Sequence, residues 1–96
     1  MDISFRYTIV YVPDVAATLD FYGRAFGFET RFSDPSGDYG ELITGDTTLA
    51  FVSEGLATSN IASYQPNRAD SAPAGIEIAL ITSDVAAAVP TVTVRS

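Results

Sequence analysis

The sequence contains no histidine and no cysteine, and these two absences exclude several kinds of chemistry. Histidine is the side chain most often used for proton transfer near neutral pH, and it is also the commonest metal ligand. Without histidine and without a thiol, neither Ser-His nor Cys-His nucleophilic catalysis is available. Any metal ion would have to be bound by oxygen atoms alone. The absence of cysteine also excludes disulfide bonds.

Positive charge is also scarce. Five arginines and no lysine stand against twelve carboxylates, which gives a net charge of −7. The arginines are scattered along the chain, so they cannot form the basic stripe that neutralises a nucleic-acid backbone. The same net charge disfavours binding to anionic membranes. We therefore expect neither nucleic acid nor a membrane as a partner.

Long apolar runs are missing as well. No run approaches the roughly 20 residues that span a bilayer. The N-terminal sequence Met-Asp-Ile-Ser lacks the basic region of a signal peptide, so the sequence predicts a cytoplasmic protein. An apolar fraction of 47% in 96 residues indicates a single domain with a modest core.

A strand followed by a capped helix is predicted near the N-terminus. Tyr7–Val12 is rich in β-branched and aromatic residues, and Pro13 ends this run. Asp14 is placed to cap a helix over Val15–Phe26, where apolar residues recur at helical spacing. Gly27 fits the position just after the helix, where a left-handed backbone is favoured.

Three further β-runs follow the helix. They cover Phe28–Phe32, Tyr39–Thr44 and Thr47–Ser53, and they are separated by turn signals at residues 34–38 and 45–46. Three consecutive strands joined by short turns indicate an antiparallel meander packed on the helix. The predicted fold class is α+β, built on one βαβββ module at residues 1–57.

The remainder of the chain is interpreted as a linker and a shortened repeat. From Glu54 to Ala74 the regular spacing of apolar residues is lost, and small and polar residues predominate. We interpret residues 58–74 as a linker or flap. Residues 75–96 then begin with an apolar strand, Ile76–Ile81. A single domain overall is expected.

The second segment repeats the start of the first. The run Thr82-Ser83-Asp84-Val85-Ala86-Ala87 corresponds to Val12-Pro13-Asp14-Val15-Ala16-Ala17. Pro90 ends this second helix after about one turn. Residues 91–94 form only a short β-run, so residues 75–96 are predicted to be a truncated second module.

The βαβββ order resembles a known superfamily. With Val12-x-Asp14-Val15 and Phe21-Tyr22-x-x-x-Phe26-Gly27-Phe28 in these places, the sequence resembles the glyoxalase / bleomycin-resistance / extradiol-dioxygenase superfamily, which has the vicinal oxygen chelate fold. The resemblance implies two such modules around a shared curved sheet. In metal-dependent members, it implies a His or Glu ligand on the first strand and a Glu on the fourth.

The ligand positions implied by this resemblance do not carry the expected residues. The first-strand position falls on Tyr7, whose protonated phenol is a poor ligand for divalent metals. The fourth-strand position falls near Ala50, which has no donor atom. In the second module the position is taken by Glu77, and one carboxylate does not complete a site. We therefore predict no metal and no other cofactor.

Five residues are candidates for binding a ligand: Tyr7, Tyr39, Glu41, Phe51 and Glu77. Tyr7, Tyr39 and Phe51 are drawn from a wider aromatic set that includes Tyr11 and Phe32, and they are expected to face one concave surface with Glu77. The alternative for the aromatic residues is that they form core between sheet and helix. A carboxylate of Glu41 or Glu77 in an apolar groove would suit acid–base chemistry. If Glu41 or Glu77 instead lies on the solvent-exposed face of its strand, its carboxylate is simply solvated and has no role in a site.

The function expected from the resemblance is metal-independent binding of an apolar or aromatic small molecule, as in the bleomycin-resistance-like branch, to sequester a toxic compound. The alternatives are a lyase or dioxygenase of the same superfamily, or a truncated non-catalytic assembly module. No catalytic residue is predicted. Because one module leaves strand edges unpaired, we also expect a two-fold homodimer in which Tyr7–Val12 and Ile76–Ile81 meet near the interface, with exchange of the C-terminal segment as one way to form it.

Overall fold

The computed structural model describes residues 1–61 and 63–84 of the chain. Its centre is a four-stranded sheet with the order β1-β4-β3-β2. The elements along the chain are β1 (Tyr7–Val12), α1 (Val15–Phe26), β2 (Thr30–Ser33), β3 (Tyr39–Leu42), β4 (Thr48–Ser53) and α2 (Glu54–Asn60). This arrangement confirms the predicted α+β class and the βαβββ order.

Helix α1 begins and ends where the sequence predicts. The Asp14 side chain accepts a hydrogen bond of 3.0 Å from the backbone N–H of Ala17, which satisfies one of the free amides of the first turn. At the other end Gly27 has φ of 76°, and its N–H donates to the carbonyl of Gly23. A residue without a Cβ adopts this left-handed conformation at low cost.

The sheet is mixed. β2 pairs antiparallel with β3 and β3 antiparallel with β4, as the predicted meander requires. β1 pairs parallel with β4, which is the outer strand of the meander. A hydrogen bond of 2.7 Å from the Thr48 N–H to the Arg6 carbonyl extends this pairing to the residue before β1. The β2–β3 register shifts between Thr30 and Phe32, which leaves Arg31 as an extra residue.

The core lies between α1 and one face of the sheet. It consists of the buried side chains Val15, Leu19, Leu42, Leu49 and Phe51. Tyr22 of α1 stacks on Phe51 with ring centroids 5.3 Å apart. Gly40 of β3 lies directly under the helix, since a Cβ built there would be 2.7 Å from Leu19 Cδ1. The absence of a side chain at Gly40 therefore lets the helix approach the sheet.

The segment after β4 is more ordered than the sequence suggested. Residues from Glu54 onward were expected to be irregular, but Glu54–Asn60 forms helix α2. The Ser53 hydroxyl accepts a hydrogen bond from the Leu56 N–H, and Ala57 packs inward with only 2% of its surface exposed. A capped start and one buried small residue are sufficient for a helix of two turns when the sheet supplies the packing surface.

Residues 63–68 return towards β1. The Tyr64 ring meets Tyr11 edge-on at 5.0 Å, and the Asn67 side-chain amide donates to the Tyr11 carbonyl. Arg68 forms a two-pronged ion pair with Glu54, with N–O distances of 2.6 and 2.8 Å. This part of the predicted linker is therefore attached to the first module through specific contacts.

The strand predicted over Ile76–Ile81 is not formed. These residues have no regular secondary structure, and no strand in the described part of the chain pairs with them. A strand draws its stability from a neighbour, so β-propensity alone does not produce one. The repeated helix and the final β-run fall on residues 85–96, outside the described residues. Neither described helix is long and apolar enough to cross a membrane.

Candidate functional site

The sheet has one face covered by α1 and one face that the helix does not cover. Val10 and Gly40 lie opposite Phe51 in the neighbouring strands, so they share the face that packs on the helix. Ile9 and Glu41 lie opposite Ala50, the residue before Phe51 in β4. Because side chains alternate along a strand, they lie on the face away from α1. We call this second surface the open face; it is formed by Tyr7, Ile9, Phe32, Tyr39 and Glu41.

Large apolar side chains on the open face are accessible to solvent. Tyr7 is 46% exposed, Ile9 49% and Phe32 48%. The Phe32 and Tyr39 rings are neighbours, with centroids 6.2 Å apart. Large side chains on a helix-free sheet surface that are half exposed can supply contact area to a flat ligand.

A small polar cluster interrupts this apolar surface. The Tyr39 hydroxyl donates to Glu41 Oε2 at 2.5 Å, and the other Glu41 oxygen lies 3.7 Å from Arg31 Nε. Arg31 Nη1 also donates to the Thr48 hydroxyl at 3.4 Å. Thr48 is buried, whereas about half of the Arg31 side chain is exposed. The cluster therefore runs from a buried hydroxyl to a guanidinium that reaches solvent.

The surroundings of Tyr39 keep its phenol protonated. Burial, followed by the hydrogen bond to Glu41, raises the pKa of Tyr39 to about 12. The Glu41 charge and the nearby Tyr7 phenol contribute to this raised pKa, and the Arg31 guanidinium opposes it. At neutral pH Tyr39 is therefore a hydrogen-bond donor, and its proton is directed at the Glu41 carboxylate.

A groove of about 400 Å³ adjoins the open face at the start of β1 and β4. Arg6, Tyr7, Arg31, Gly45, Asp46 and Thr48 line it. Tyr7 belongs to both the groove and the open face, so the two form one continuous surface. A second depression of about 470 Å³ lies on the other side of the molecule, where Leu19, Gly23 and Phe28 are among its lining residues.

The structure brings together three of the five predicted ligand-binding residues. Tyr7, Tyr39 and Glu41 share the open face. Phe51 does not, because it lies opposite Val10 and Gly40 and stacks on Tyr22 with 1% of its surface exposed. The expectation that Phe51 faces the groove with Tyr7 is therefore corrected. A shift of one residue in a strand moves a side chain to the opposite face.

Glu77 is also not joined to the open face. It lies exposed within the segment 76–81, and no hydrogen bond or ion pair within the described residues links it to Tyr7, Tyr39 or Glu41. The expected concave surface shared by Glu77 and the aromatic residues is therefore not formed by the described residues of one chain.

Several residues of the site, including Ile9, were not among the five predicted ones. Arg31 and Thr48 complete the polar cluster, and Phe32, which belonged to the wider aromatic set, lies beside Tyr39. The alternation of β2 places Arg31 and Phe32 on opposite faces. The register shift at Arg31 breaks that alternation, and no turn residue in the sequence marks it.

The residues at the metal positions of the superfamily do not fit a metal ion. Tyr7 lies opposite Thr48, and Ala50 lies opposite Ile9 and Glu41 with none of its surface exposed. Glu41 is the carboxylate on this face, and it is already engaged by Tyr39 and Arg31. Within the described ranges, no three acidic side chains come close enough together to hold a metal.

Comparison with known proteins agrees with this architecture. A protein from the mobile metagenome of V. Pseudocholerae has a TM-score of 0.59 at 22% identity, covering 95% of this chain and 66% of its own. A glyoxalase/bleomycin resistance protein/dioxygenase family enzyme from Burkholderia phytofirmans PsJN has a TM-score of 0.58 at 22% identity, covering 88% and 67%. These likenesses show the fold.

A third solved structure shares less of its length with this chain. It is the bleomycin-binding protein from Streptomyces verticillus in complex with copper(II)-bleomycin, with a TM-score of 0.49 and 24% identity over 55% of this chain and 42% of that one. The chain thus spans between 42% and 67% of the length of these three proteins. No curated protein matches the sequence. The family model for the Glyoxalase/Bleomycin resistance protein/Dioxygenase superfamily matches residues 4–92, and the chain belongs to this superfamily.

Proposed function

We propose that this protein is a cytoplasmic, metal-independent small-molecule binding protein of the bleomycin-resistance-like branch, and that it sequesters an apolar or aromatic compound on the open face. The observation that carries this proposal is the accessibility of that face. Tyr7, Ile9 and Phe32 remain about half exposed there, while the opposite face of the sheet is closed by α1.

The composition of the open face supports binding in preference to catalysis. Aromatic and aliphatic side chains supply contact area, and the Tyr39–Glu41 pair supplies a fixed polar feature that can orient a ligand. Nucleophilic catalysis would need an activated group, and the sequence has neither histidine nor thiol. The Tyr7 and Ala50 positions supply no carboxylate for the metal-dependent reactions of the superfamily.

A thermal-shift screen with aromatic metabolites and antibiotics tests this proposal. A ligand that binds only the folded state raises the melting temperature, and the increase grows with the ratio of free ligand concentration to Kd. We expect at least one compound class to do so, and we expect Phe32→Ser to abolish the shift. Ile61→Ser, at the end of α2 and outside the strands of the open face, is the matched control that should retain it. A screen in which no compound shifts the melting temperature would contradict the proposal.

We further propose that the protein forms a two-fold homodimer through the β1 edge and the C-terminal segment. Among the described residues, β1 is an edge strand of the sheet, and the apolar side chains of Ile76, Ile78 and Leu80 are exposed in a segment that pairs with no described strand. Exposed strand-forming segments and free edges pair readily with each other. In a dimer of this kind Glu77 of one chain is carried towards the partner's open face.

Sedimentation equilibrium at micromolar concentration tests the dimer. We expect twice the chain mass of 10.2 kDa, and we expect Ile78→Asp to produce monomers by placing a charge in the pairing segment. Ile61→Asp serves as the control for a charge placed on another exposed isoleucine. A stable, folded monomer of the unmodified chain would overturn the dimer and the contribution of Glu77.

A further inference from the structure

The arginines of the described residues differ in how closely a carboxylate pairs with their guanidinium group. Arg24 is paired with Asp20 at 2.6 Å, and Arg68 is held by both oxygens of Glu54. Arg31, by contrast, lies 3.7 Å from the nearest Glu41 oxygen, beyond hydrogen-bonding distance. Its one side-chain hydrogen bond to another described residue, the bond to Thr48, is a long 3.4 Å. Arg31 therefore keeps most of its five donors available.

Arg31 lines the groove, so its donors can be reached from there. Thr48 and Glu41 hold the guanidinium from two sides, and Tyr39 in turn fixes the Glu41 carboxylate. Arg6 lines the same groove, and within the described chain its guanidinium contacts the Ser4 hydroxyl and no carboxylate. Two of the chain's five cationic residues thus meet at one groove in a protein of net charge −7.

We infer that the ligand proposed above is an aromatic carboxylic acid, with its carboxylate bound by Arg31 in the groove and its ring lying over Tyr7 on the open face. This inference rests on the proposed function, because it specifies which compound the open face takes. A guanidinium matches the two oxygens of a planar carboxylate with parallel hydrogen bonds. Tyr7, which lines both surfaces, provides the apolar connection between them.

The remaining charges at the groove favour a monoanion over a dianion. Asp46 lines the groove and is exposed, so it repels an anion through solvent-screened interactions. Glu41 adds a second negative charge close to Arg31. With Arg6 and Arg31 set against Asp46 and Glu41, the groove carries no net charge, so a monoanion adds one uncompensated negative charge and a phosphate dianion adds two.

Calorimetric titration with three naphthalene compounds of matched shape tests this inference. We expect 2-naphthoate to bind about 10-fold or more tightly than the neutral 2-naphthamide, as charge-assisted hydrogen bonds imply. The dianion 2-naphthyl phosphate should bind more weakly than the naphthoate. Raising the ionic strength should weaken naphthoate binding and leave naphthamide binding unchanged.

Variants test which residue causes the preference for naphthoate over naphthamide. Arg31→Gln should remove the difference between naphthoate and naphthamide, and Arg31→Lys should keep only part of it, because the ammonium lacks the planar fork. Asp46→Asn should strengthen naphthoate binding. Arg24→Gln makes the same change of net charge away from the groove and should leave the preference intact. Far-ultraviolet circular dichroism of each variant shows whether it is folded.

The outcomes separate this inference from the function on which it rests. Equal binding of naphthoate and naphthamide, or a preference that survives Arg31→Gln in a folded variant, overturns the carboxylate site and leaves the binding protein standing. Tighter binding of the phosphate overturns the choice of carboxylate. Failure of all three compounds to bind overturns the inference, and the thermal-shift screen then decides whether the proposed binding function stands.

Discussion

Gly40 and Leu19 occupy adjoining positions across the interface between sheet and helix, with space for a hydrogen atom on Gly40 but not for a methyl group. A Cβ at Gly40 would lie 2.7 Å from Leu19 Cδ1 and 3.0 Å from Val15 Cγ1. Contacts this short require the helix or its side chains to move. The close approach of α1 to β3 therefore depends on one glycine.

We accordingly expect Gly40→Ala to lower the free energy of unfolding by about 1–3 kcal/mol, the usual cost of overfilling a packed core. Urea denaturation measures this change. Gly55→Ala is the matched control, because nothing lies within 4 Å of a Cβ at that position in α2. That control should be neutral or slightly stabilising, since alanine favours helix more than glycine does. Equal stability of the Gly40→Ala variant and the unmodified protein would contradict the close approach.

Phe51 is the second position where a large effect is expected. It is 1% exposed and stacked on Tyr22, so Phe51→Ala should lower the free energy of unfolding by about 3–5 kcal/mol. Phe32→Ala removes the same ring from the open face and should cost far less. The comparison by urea denaturation tests the assignment of the two faces: similar losses in the two variants would argue that Phe51 is not in the core.

The cap of α1 gives a smaller and independent prediction. Asp14→Ala should destabilise the protein by about 1 kcal/mol, because the Ala17 N–H loses its hydrogen-bond acceptor. Asp20→Ala is the control on the same helix. It removes the exposed ion pair with Arg24, which is worth about 0.3–0.5 kcal/mol. An Asp20 variant less stable than the Asp14 variant would be inconsistent with this ranking.

Tyr39 predicts a dependence on alkaline pH. Because the pKa of Tyr39 in the folded protein is raised to about 12, against about 10 for an ordinary phenol, the unfolded chain loses this proton first. Its stabilising effect is therefore complete below pH of about 10 and is lost as the pH rises towards 12. Thermal unfolding across this range should show stability falling, and Tyr39→Phe should reduce the fall.

Glu41→Gln refines the same experiment. Removing the carboxylate charge should lower the pKa of Tyr39, but not to its ordinary value, because burial, the largest single cause of the shift, remains. Ultraviolet absorbance of tyrosinate measures this pKa when the titration is compared with that of the Tyr39→Phe variant, because the difference separates Tyr39 from the other four tyrosines. A Tyr39 pKa unchanged by Glu41→Gln would indicate that the short hydrogen bond between the two side chains does not persist in solution.

The elements with local signals could be predicted from the sequence, and those set by distant contacts could not. Asp14 and Gly27 mark both ends of α1 within a few residues, so its bounds follow from the sequence alone. Helix α2 has Ser53 as its one clear signal, and its inward packing at Ala57 depends on the sheet. The strand predicted at Ile76–Ile81 shows the converse case, since a strong local preference is not realised without a neighbouring strand.

The site was predictable to a similar degree. Alternation correctly groups Tyr7 with other residues of β1, but it cannot relate the face of one strand to that of another. For this reason Phe51 was assigned to the wrong face of the sheet. The register shift at Arg31, which brings its guanidinium near Glu41, could not be predicted from alternation either. The contacts between strands, which the structure supplies, decide which aromatic residues are core and which are accessible.

The parallel pairing of β1 with β4 has a consequence for how the chain folds. β2, β3 and β4 are neighbours in sequence and can form their ladders through short loops, whereas Tyr7 must wait for Thr48, about 40 residues later. Contacts between residues far apart in sequence are the slow ones, because the intervening loop must be ordered before they form. During synthesis, β1 and α1 therefore leave the ribosome before β2, β3 and β4, and β1 is the last of these four strands to be paired.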